Sequence, residues 1–263
     1  MKLFTIFGNP VSHSISPLLH NSAITALNLD ACYTRTMLKD STKIIEKFKQ
    51  LKLDGANVTV PHKEYAFKLC DTAKGISKKI GAVNTLIKDK NRIIGYNTDA
   101  PGFYESIKSF TNIKSALILG AGGTAKALSF ILNDNGIKTS ILNRSSSRLE
   151  FFIDNGFETF THESFKTNKF DLIINTTPAG LNDENLPLKA ELLNLLMCQS
   201  QYAFDVIYGR ITPFIKLAKK HSLLYKDGSD MLLLQAVLAF NLFYKNGFDN
   251  KIIEKEMKKA FNL

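Results

Sequence analysis

The sequence predicts an α/β fold of two domains, the first of which is built on a mixed β-sheet. Apolar strand-like segments alternate with helical segments along the whole chain, which is the pattern of layered α/β proteins. Within the first hundred residues, two strand-like segments flank a short polar turn and predict an antiparallel hairpin. From residue 115 onward the strand–helix alternation is cleaner, and one strand runs through a glycine-rich turn directly into a helix.

The first domain is predicted over residues 1–100. Apolar or alternating patterns predict strands at residues 3–7, 31–37 and 55–60, and helices at 17–27, 42–51 and 62–69. The hairpin comprises residues 82–87 and 92–96 around a turn at 88–91, and a connecting helix follows at 100–110. An antiparallel hairpin beside the earlier strands is the reason for expecting a mixed sheet.

The second domain is predicted over residues 101–229. Its strands are expected at residues 116–119, 139–142, 172–175, 202–207 and 223–225. The helix predicted at 231–244 is apolar on nearly every side, so it must be buried, and an amphipathic helix is expected at 251–261. We place both helices, within residues 230–263, against the first domain. The chain would then cross twice between the domains and form a cleft, where ligands often bind.

The most informative segment is the turn after the strand at 116–119, which reads Gly120-Ala121-Gly122-Gly123-Thr124-Ala125. Glycines let the backbone turn sharply and approach a pyrophosphate, which is then held by the amides at a helix N-terminus. A lone G-x-G-x-x-A pattern is weak evidence, but here strand, turn and helix follow in order. The segment therefore predicts a Rossmann-like dinucleotide-binding domain with these six residues at the cofactor.

The tip of the next strand, at residues 138–143, indicates which dinucleotide binds. NAD-binding folds usually place an acidic residue there, about 20 residues after the glycines, to bind the ribose. This chain instead has Asn143 and Arg144, with Arg148 just beyond. Guanidinium groups match phosphate oxygens, so these residues predict NADP as the cofactor. The alternative is that two surface arginines simply flank a serine-rich turn.

Composition and charge indicate which classes of ligand the protein binds and in which compartment it works. The net charge is +10 in 263 residues, but only five basic residues are arginine and the lysines are spread along the chain. We therefore expect anionic small molecules and no nucleic acid as partners. No apolar run is long enough for a membrane span, and no secretory signal is visible. The three cysteines and five histidines lack metal-ligand spacing. These features favour a cytoplasmic protein with reduced thiols and no metal.

Polar residues at the strand ends of the first domain suggest a small-molecule site. Ser14 and Ser16 precede a helix and could bind a carboxylate, although Ser16 before Pro17 also fits a helix cap. Lys63 begins the helix after the strand at 55–60, where the helix dipole disfavours a cation, so a catalytic role is favoured over chance. Asp99 is either a helix cap or part of the same site.

Several short motifs occur along the chain in a fixed order, and together they resemble the shikimate dehydrogenase family over essentially the full length. They are Ser14-x-Ser16, Asn57-Val58-Thr59-x-Pro61-x-Lys63, Gly81-Ala82-x-Asn84-Thr85, Gly95-x-Asn97-Thr98-Asp99, Gly120-x-Gly122-Gly123, Asn143-Arg144, Asn175-x-Thr177-Pro178-x-Gly180, Asp205-x-x-Tyr208 and Met231-Leu232-x-x-Gln235.

The resemblance implies an enzyme that reversibly reduces 3-dehydroshikimate to shikimate with NADPH, in the pathway to chorismate and the aromatic amino acids. It implies that Lys63 transfers the proton and that Asp99 orients it. Substrate-binding roles are implied for Ser14 and Ser16, on the carboxylate, and for Asn57, Thr59, Asn84, Asp99, Tyr208 and Gln235. Further cofactor-binding roles are implied for Thr176, Val206, Gly228 and Met231.

Two departures from the family pattern and three alternatives accompany this prediction. Gly209-Arg210 stands where the family often has Asn-Pro, and Asp230 where it usually has glycine, both at the expected nicotinamide end. A quinate-accepting relative would use the same pocket. A methylenetetrahydrofolate dehydrogenase would not need Ser14 and Ser16, and a nucleotide-sensing regulator would not need Lys63 and Asp99. We expect a monomer or a homodimer.

Overall fold

The computed structural model describes residues 1–260 and divides into two compact units. Unit 1 comprises Met1–Gly102 together with the chain from Leu233 onward, and unit 2 comprises Phe103–Leu232. The last helix was predicted to end at Phe261, which lies outside the described residues. No helix within residues 1–260 combines the length and the apolar character needed to cross a bilayer.

Unit 1 is built on a six-stranded mixed sheet. Its strands are β1 (Lys2–Gly8), β2 (Ala31–Met37), β3 (Gly55–Val58), β4 (Thr72–Ala73), β5 (Thr85–Asp89) and β6 (Arg92–Tyr96), in the order β2-β1-β3-β5-β6-β4. β5 runs antiparallel to both β3 and β6, and the other pairs are parallel. Its first helices are α1 (Ser16–Ala26), α2 (Ile44–Gln50), α3 (Lys63–Leu69) and α4 (Ser77–Ile80), and a 3-10 turn at Ser41–Lys43 precedes α2. The predicted mixed sheet is confirmed.

Several predicted boundaries in unit 1 differ from the structure, most clearly at the hairpin, whose first strand begins at Thr85 rather than Ala82, and at β3. The hairpin turn consists of Lys90 and Asn91 rather than residues 88–91, because Asp89 still pairs with Arg92 and Lys90 adopts the left-handed φ of 55° that a tight turn requires. β3 ends at Val58 rather than at Val60. The chain turns there toward Pro61, which has no N–H to continue a ladder.

Unit 2 contains six parallel strands. They are β7 (Ser115–Leu119), β8 (Lys138–Asn143), β9 (Glu158–Thr161), β10 (Leu172–Asn175), β11 (Tyr202–Asp205) and β12 (Leu224–Lys226). Its helices are α6 (Gly123–Asp134), α7 (Glu150–Asp154), α8 (Ala190–Met197) and α9 (Pro213–Lys220). The order β9-β8-β7-β10-β11-β12 is the Rossmann order, with its switch point between β7 and β10. The predicted Rossmann-like domain is confirmed, although β9 was not predicted.

Three helices complete the fold, namely α5 (Asp99–Ser106), α10 (Ser229–Phe243) and α11 (Asn250–Lys259). Within unit 1, α10 is buried as its apolar sequence predicted. Its Phe243 ring stacks on Phe4 of β1 with the centroids 4.6 Å apart. Gly55 of β3 lies beneath that ring, and a Cβ there would stand only 2.5 Å from it. The close approach of helix and sheet therefore depends on glycine at residue 55.

Candidate functional site

Lys63 and Asp99 form an ion pair in unit 1. Lys63 is the first residue of α3 and Asp99 the first residue of α5, and Lys63 Nζ lies 2.7 Å from Asp99 Oδ2. The two side chains are 26% and 16% exposed, so the pair is largely buried yet open to a small molecule. Asp99 is the first residue of α5 rather than its N-cap, and the amide of Gly102, three residues on, donates to the Thr98 carbonyl. The Asp99 carboxylate is thereby available to orient the Lys63 ammonium group.

A buried hydrogen-bond network holds the segment that carries Asp99. The Asn84 Oδ1 atom accepts from the backbone N–H of Thr98 at 2.8 Å and from the hydroxyl of Thr85 at 2.9 Å. The Asn84 amide nitrogen donates to Thr98 Oγ1 at 2.9 Å. Asn84 therefore binds the residue next to Asp99, and its amide restrains the backbone that presents the carboxylate.

Asn57 extends the same network across the sheet. Its amide nitrogen donates to Thr85 Oγ1 at 3.1 Å, and its oxygen accepts from the hydroxyl of Tyr33 at 2.8 Å. Burial raises the pKa of Tyr33 well above its ordinary value, so this hydroxyl stays a proton donor. Thr85 and Thr98 lie in the sequence motifs but were not predicted as site residues. The sequence around Tyr33 did not mark it as a site residue, because it comes near Asn57 only when β1 pairs with both β2 and β3.

Ser14 and Ser16 lie together at the start of α1. The hydroxyl of Ser14 donates to Ser16 Oγ at 3.2 Å and accepts from the Ser16 N–H at 3.3 Å. Helix α1 has Ile15 at its N-cap position, without a side-chain capping bond, so the interpretation of Ser16 as the N-cap is wrong. Arg35 Nε donates to the Ser14 carbonyl at 2.8 Å and holds this turn.

Thr59 and Gln235 are each positioned by a glycine within unit 1. A Cβ on Gly8 would lie 2.6 Å from the Thr59 methyl group, so the chain after β3 packs directly over β1. A Cβ on Gly102 would lie 2.7 Å from the Gln235 backbone nitrogen. Since Gly102 is one helical turn beyond Asp99 on α5, this contact holds the Gln235 segment of α10 beside the helix that presents Asp99.

The glycine-rich turn of unit 2 follows β7 at the switch point of the sheet. Gly120 has a φ of +106°, and a Cβ there would stand 2.7 Å from Thr176 Oγ1. Thr176 in turn donates its hydroxyl to the Leu119 carbonyl at 2.8 Å. Among the described residues, a Cβ on Gly122 or Gly123 would meet nothing within 4 Å, and the N-cap Gly122 offers no side chain to the first amides of α6. The start of α6 therefore has no side-chain cap, and the space beside these two glycines is open.

The neighbouring residues of this turn differ in what they can offer. The side chains of Ala121 and Ala125 are buried, whereas Thr124 is half-buried at the start of α6. The two alanines can therefore contribute backbone groups only, and the Thr124 hydroxyl is the one side-chain donor within the turn.

A cavity of about 740 Å³ lies within unit 2 beside this turn. Gly120, Asn143, Arg144 and Arg148 line it, which brings the predicted tip residues and the first glycine together. The cavity is completed by the segment from Thr177 to Lys189 and by His162. Neither His162 nor Lys189 was predicted as a site residue, because His162 follows the strand that was not predicted and Lys189 is one of many scattered lysines.

The remaining predicted residues of unit 2 lie around the end of β11. A Cβ on Gly228 would collide with the backbone carbonyl of Val206, so the two segments touch. The fully buried Asp205 accepts from Asn175 Nδ2 at 3.1 Å and from Thr212 Oγ1 at 2.6 Å, and burial raises the pKa of its carboxyl. Tyr208 is 38% exposed and Met231 is half-buried.

Local ion pairs accommodate both departures from the family pattern. Arg210 donates to the Leu181 carbonyl at 2.9 Å and pairs with Glu184 at 3.0 Å. Arg210 therefore anchors one wall of the cavity, since Leu181 lines it. Asp230 accepts from Lys226 at 2.9 Å, one turn earlier.

Within residues 1–260, the acidic, histidine and cysteine side chains do not gather into a group of three or more that could hold a metal ion.

The family model for the shikimate dehydrogenase substrate binding domain matches residues 6–86. The shikimate dehydrogenase (NADP(+)) of Helicobacter hepaticus is 46% identical over 263 residues, which cover 99% of this chain and 98% of that protein. The enzyme of the same name from Helicobacter pylori strain P12 is 46% identical over 92% of both chains.

A solved structure with the same two-sheet architecture is that of shikimate 5-dehydrogenase from Thermus thermophilus in complex with NADP(H) and shikimate. It matches with a TM-score of 0.87 and 33% identity, over 99% of this chain and all of that one.

Proposed function

This chain belongs to the shikimate dehydrogenase family, as its motifs predicted, and from that premise we propose that it reversibly reduces 3-dehydroshikimate to shikimate with NADPH. The full-length identity of 46% to an NADP(+)-dependent relative supports both the reaction and the cofactor. The reaction belongs to the pathway to chorismate and the aromatic amino acids. We further propose that the chain works in the cytoplasm, as a monomer or a homodimer. Its three cysteines are free thiols, which suits a reducing compartment.

The observation that carries the chemistry is the Lys63–Asp99 pair, 2.7 Å long and largely buried. Reduction of a ketone adds a hydride to carbon and a proton to oxygen. In our proposal the Lys63 ammonium group donates that proton to the carbonyl oxygen of the substrate, and in the reverse direction the amine takes it from the hydroxyl. Asp99 orients the ammonium group, and the bonds of Asn84 to Thr98 and Thr85 hold the segment that bears Asp99.

Substrate binding is assigned to the polar residues of unit 1. Ser14 and Ser16 carry hydroxyls at the uncapped start of α1, where donors and the helix dipole both favour a carboxylate. We propose that Thr59, Asn84, Asp99 and Gln235 hold the ring hydroxyls, and that Asn57 and Tyr208 are further substrate-binding residues. The internal hydrogen bonds of Asn57 and Asn84 support a positioning contribution by these two amides.

The residues of unit 2 fit a phosphorylated dinucleotide. The open space over Gly122 and Gly123 and the uncapped amides of α6 suit a pyrophosphate. We propose that residues 120–125 and Thr176 hold it, that Asn143, Arg144 and Arg148 hold the ribose 2′-phosphate, and that Val206, Gly228 and Met231 contact the nicotinamide. When bound there, NADPH supplies the hydride.

Initial rates test this proposal, measured with shikimate and with quinate, each with NADP⁺ and with NAD⁺. We expect turnover of shikimate with NADP⁺ and a lower kcat/KM for every other pair. A higher kcat/KM for quinate would replace the proposed substrate by its saturated relative. No oxidation of either acid would refute the proposed reaction.

A further inference from the structure

The cavity of unit 2 contains two basic side chains that no sequence motif includes. We propose, on the basis of the function above, that His162 and Lys189 complete the 2′-phosphate subsite with Arg144 and Arg148, and that His162 takes up a proton when NADP binds. In this proposal His162 and Lys189 help to determine the preference for NADP over NAD.

Strand register brings His162 to the side of Arg144. β8 and β9 run parallel, and Asn143 is paired with Thr161. The first residues after these two strands are therefore Arg144 and His162, and both line the cavity. Because the carboxyl ends of parallel strands share one edge of the sheet, this neighbourhood follows from the backbone and not from side-chain placement.

The turn after β9 fixes His162 in that position. The backbone N–H of Thr161 donates to Ser164 Oγ at 2.9 Å, and the Ser164 N–H donates to Thr161 Oγ1 at 3.1 Å. The backbone N–H of Phe165 donates to the Thr161 carbonyl at 3.0 Å, and the Phe165 side chain is buried in the core. The imidazole is therefore presented from an ordered turn, half-buried.

The charges that line the cavity favour an anion. Within the described part of the chain, Arg144, Arg148 and Lys189 form no ion pair with an acidic side chain. Asp183 is the acid among the lining residues, and its Oδ1 atom accepts from the amides of Gly180 and Asn185 at 2.8 and 3.0 Å. Three permanent cations thus face one carboxylate that is already hydrogen-bonded, which leaves a positive site for a phosphate.

The protonation of His162 responds to that phosphate. Burial lowers the pKa of His162 below 6.5, and repulsion from Arg144 and Lys189 lowers it further. A phosphate dianion beside the ring acts in the opposite direction and raises the pKa in the complex. Between the two pKa values, binding takes up a proton, so the affinity for NADP⁺ rises as the pH falls through this window.

Isothermal titration calorimetry of the full chain with NADP⁺ and NAD⁺ tests the proposal. Titrations at pH 6 and pH 8, in two buffers of different ionisation enthalpy, give both Kd and the number of protons taken up. We expect H162Q to weaken NADP⁺ binding about threefold to tenfold at pH 6 and less than about twofold at pH 8. Its proton uptake is expected to be smaller than that of the wild type. H162N serves as a second variant.

Lysine and control variants complete the test. K189Q is expected to weaken NADP⁺ binding about threefold to tenfold at both pH values, and K166Q, at an exposed lysine outside the cavity, to leave it unchanged. All four variants should bind NAD⁺ like the wild type. The 2′-phosphate of NADP⁺ ionises in the same way whichever variant binds it. The difference in proton uptake between wild type and H162Q therefore reports the contribution of His162 alone.

Equal proton uptake and equal pH dependence in wild type and H162Q would overturn the role of His162. Equal wild-type affinity for NADP⁺ and NAD⁺ would overturn the whole subsite. Because these readouts are of cofactor binding, a failure to oxidise shikimate would refute the proposed reaction while leaving this result to stand on its own.

Discussion

In the part of the chain that the structure describes, the charged side chains are paired in the candidate site of unit 1 and unpaired in that of unit 2. In unit 1, the ammonium group of Lys63 and the carboxylate of Asp99 neutralise each other at 2.7 Å, and the amides beside them are hydrogen-bonded within the protein. In unit 2, Arg144, Arg148 and Lys189 line a cavity without an acidic partner among the described residues.

The difference reflects what each site has to do. A largely buried charge must be paired, because the free energy needed to desolvate an isolated ion is far larger than that needed to desolvate an ion pair of zero net charge. Asp99 therefore compensates the ammonium charge of Lys63 while Lys63 holds the proton. Arg144 and Arg148 are exposed, so water solvates them until a phosphate arrives, and no internal partner has to be displaced. Unit 1 is prepared for a reaction and unit 2 for an anion.

The largest expected effect comes from breaking the pair in unit 1. We expect Lys63→Ala to lower kcat by about 10²- to 10⁴-fold, because general acid–base groups contribute on this scale. Lys68→Ala is the matched control, since Lys68 is an exposed lysine on the same helix. Steady-state rates, with shikimate binding measured by calorimetry, provide the test. A loss confined to KM would contradict the proton-transfer role.

A buried histidine makes unit 1 sensitive to acid. His20 is 1% exposed and stacks on Tyr33 with the ring centroids 4.2 Å apart, and within residues 1–260 neither of its ring nitrogens has a hydrogen-bond partner. Burial therefore lowers its pKa to about 3. Unfolded histidine titrates near 6.5. Between these two pKa values the unfolded chain therefore binds more protons at His20 than the folded chain does. The contribution of His20 to the free energy of unfolding is fully present above pH 6.5 and is lost as the pH falls toward 3.

This histidine should account for about 2–3 kcal/mol of lost unfolding free energy at pH 4.5. We expect His20→Phe, which keeps an aromatic ring on Tyr33, to remove that part of the pH dependence. Urea unfolding at pH 7.0, 5.5 and 4.5 measures it for both proteins. Parallel stability curves for wild type and variant would show that His20 is not responsible. His162 of unit 2 also has a lowered pKa, but it is only half-buried beside a cavity, so we expect from it a smaller contribution of the same sign.

The sequence predicted the fold well where a pattern was strong and local. The parallel order of unit 2 follows from Gly120 through Ala125 and from alternating strands, and the burial of α10 follows from its apolar sequence. β9 was missed because Glu158–Thr161 is short and only partly buried, so it has no apolar run. β4, at Thr72–Ala73, was missed for a similar reason, since two residues carry no periodicity.

Site residues were predictable only where a motif or a strand end marked them. Lys63 and Asp99 stand at helix starts, and the structure pairs them at 2.7 Å, as the family resemblance implied. Tyr33 and His162 could not be found in this way. Tyr33 comes near Asn57 only when β1 pairs with both β2 and β3, and His162 comes near Arg144 only when β9 pairs with β8. The interpretation of Ser16 as an N-cap failed because cap position depends on backbone angles that sequence alone does not determine.

A smaller effect is expected at the start of α1, where the comparison becomes one between binding and stability. We expect Ser14→Ala to raise the Kd for shikimate by about tenfold, because a hydrogen bond to a charged group is worth roughly 1.5–3 kcal/mol. Thermal stability should change little, since the bonds of Ser14 Oγ to Ser16 are long, at 3.2 and 3.3 Å. Ser12→Ala, at an exposed serine, is the control. A lower melting temperature with unchanged Kd would instead indicate a structural role.

The smallest effect is expected from removing one of the unpaired cations of unit 2. Arg144 is exposed, so water offsets much of its contribution, and a single charge-assisted bond should favour the phosphorylated cofactor by about fivefold. We therefore expect Arg144→Ala to raise KM for NADP⁺ by about that factor and to leave KM for NAD⁺ nearly unchanged. Arg92→Ala, at an exposed arginine of β6 in unit 1, should alter neither value. The contrast between units depends on this result. If wild type used NADP⁺ and NAD⁺ with equal kcat/KM, the cations of unit 2 would be ordinary surface charges, and only the paired charges of unit 1 would be functional.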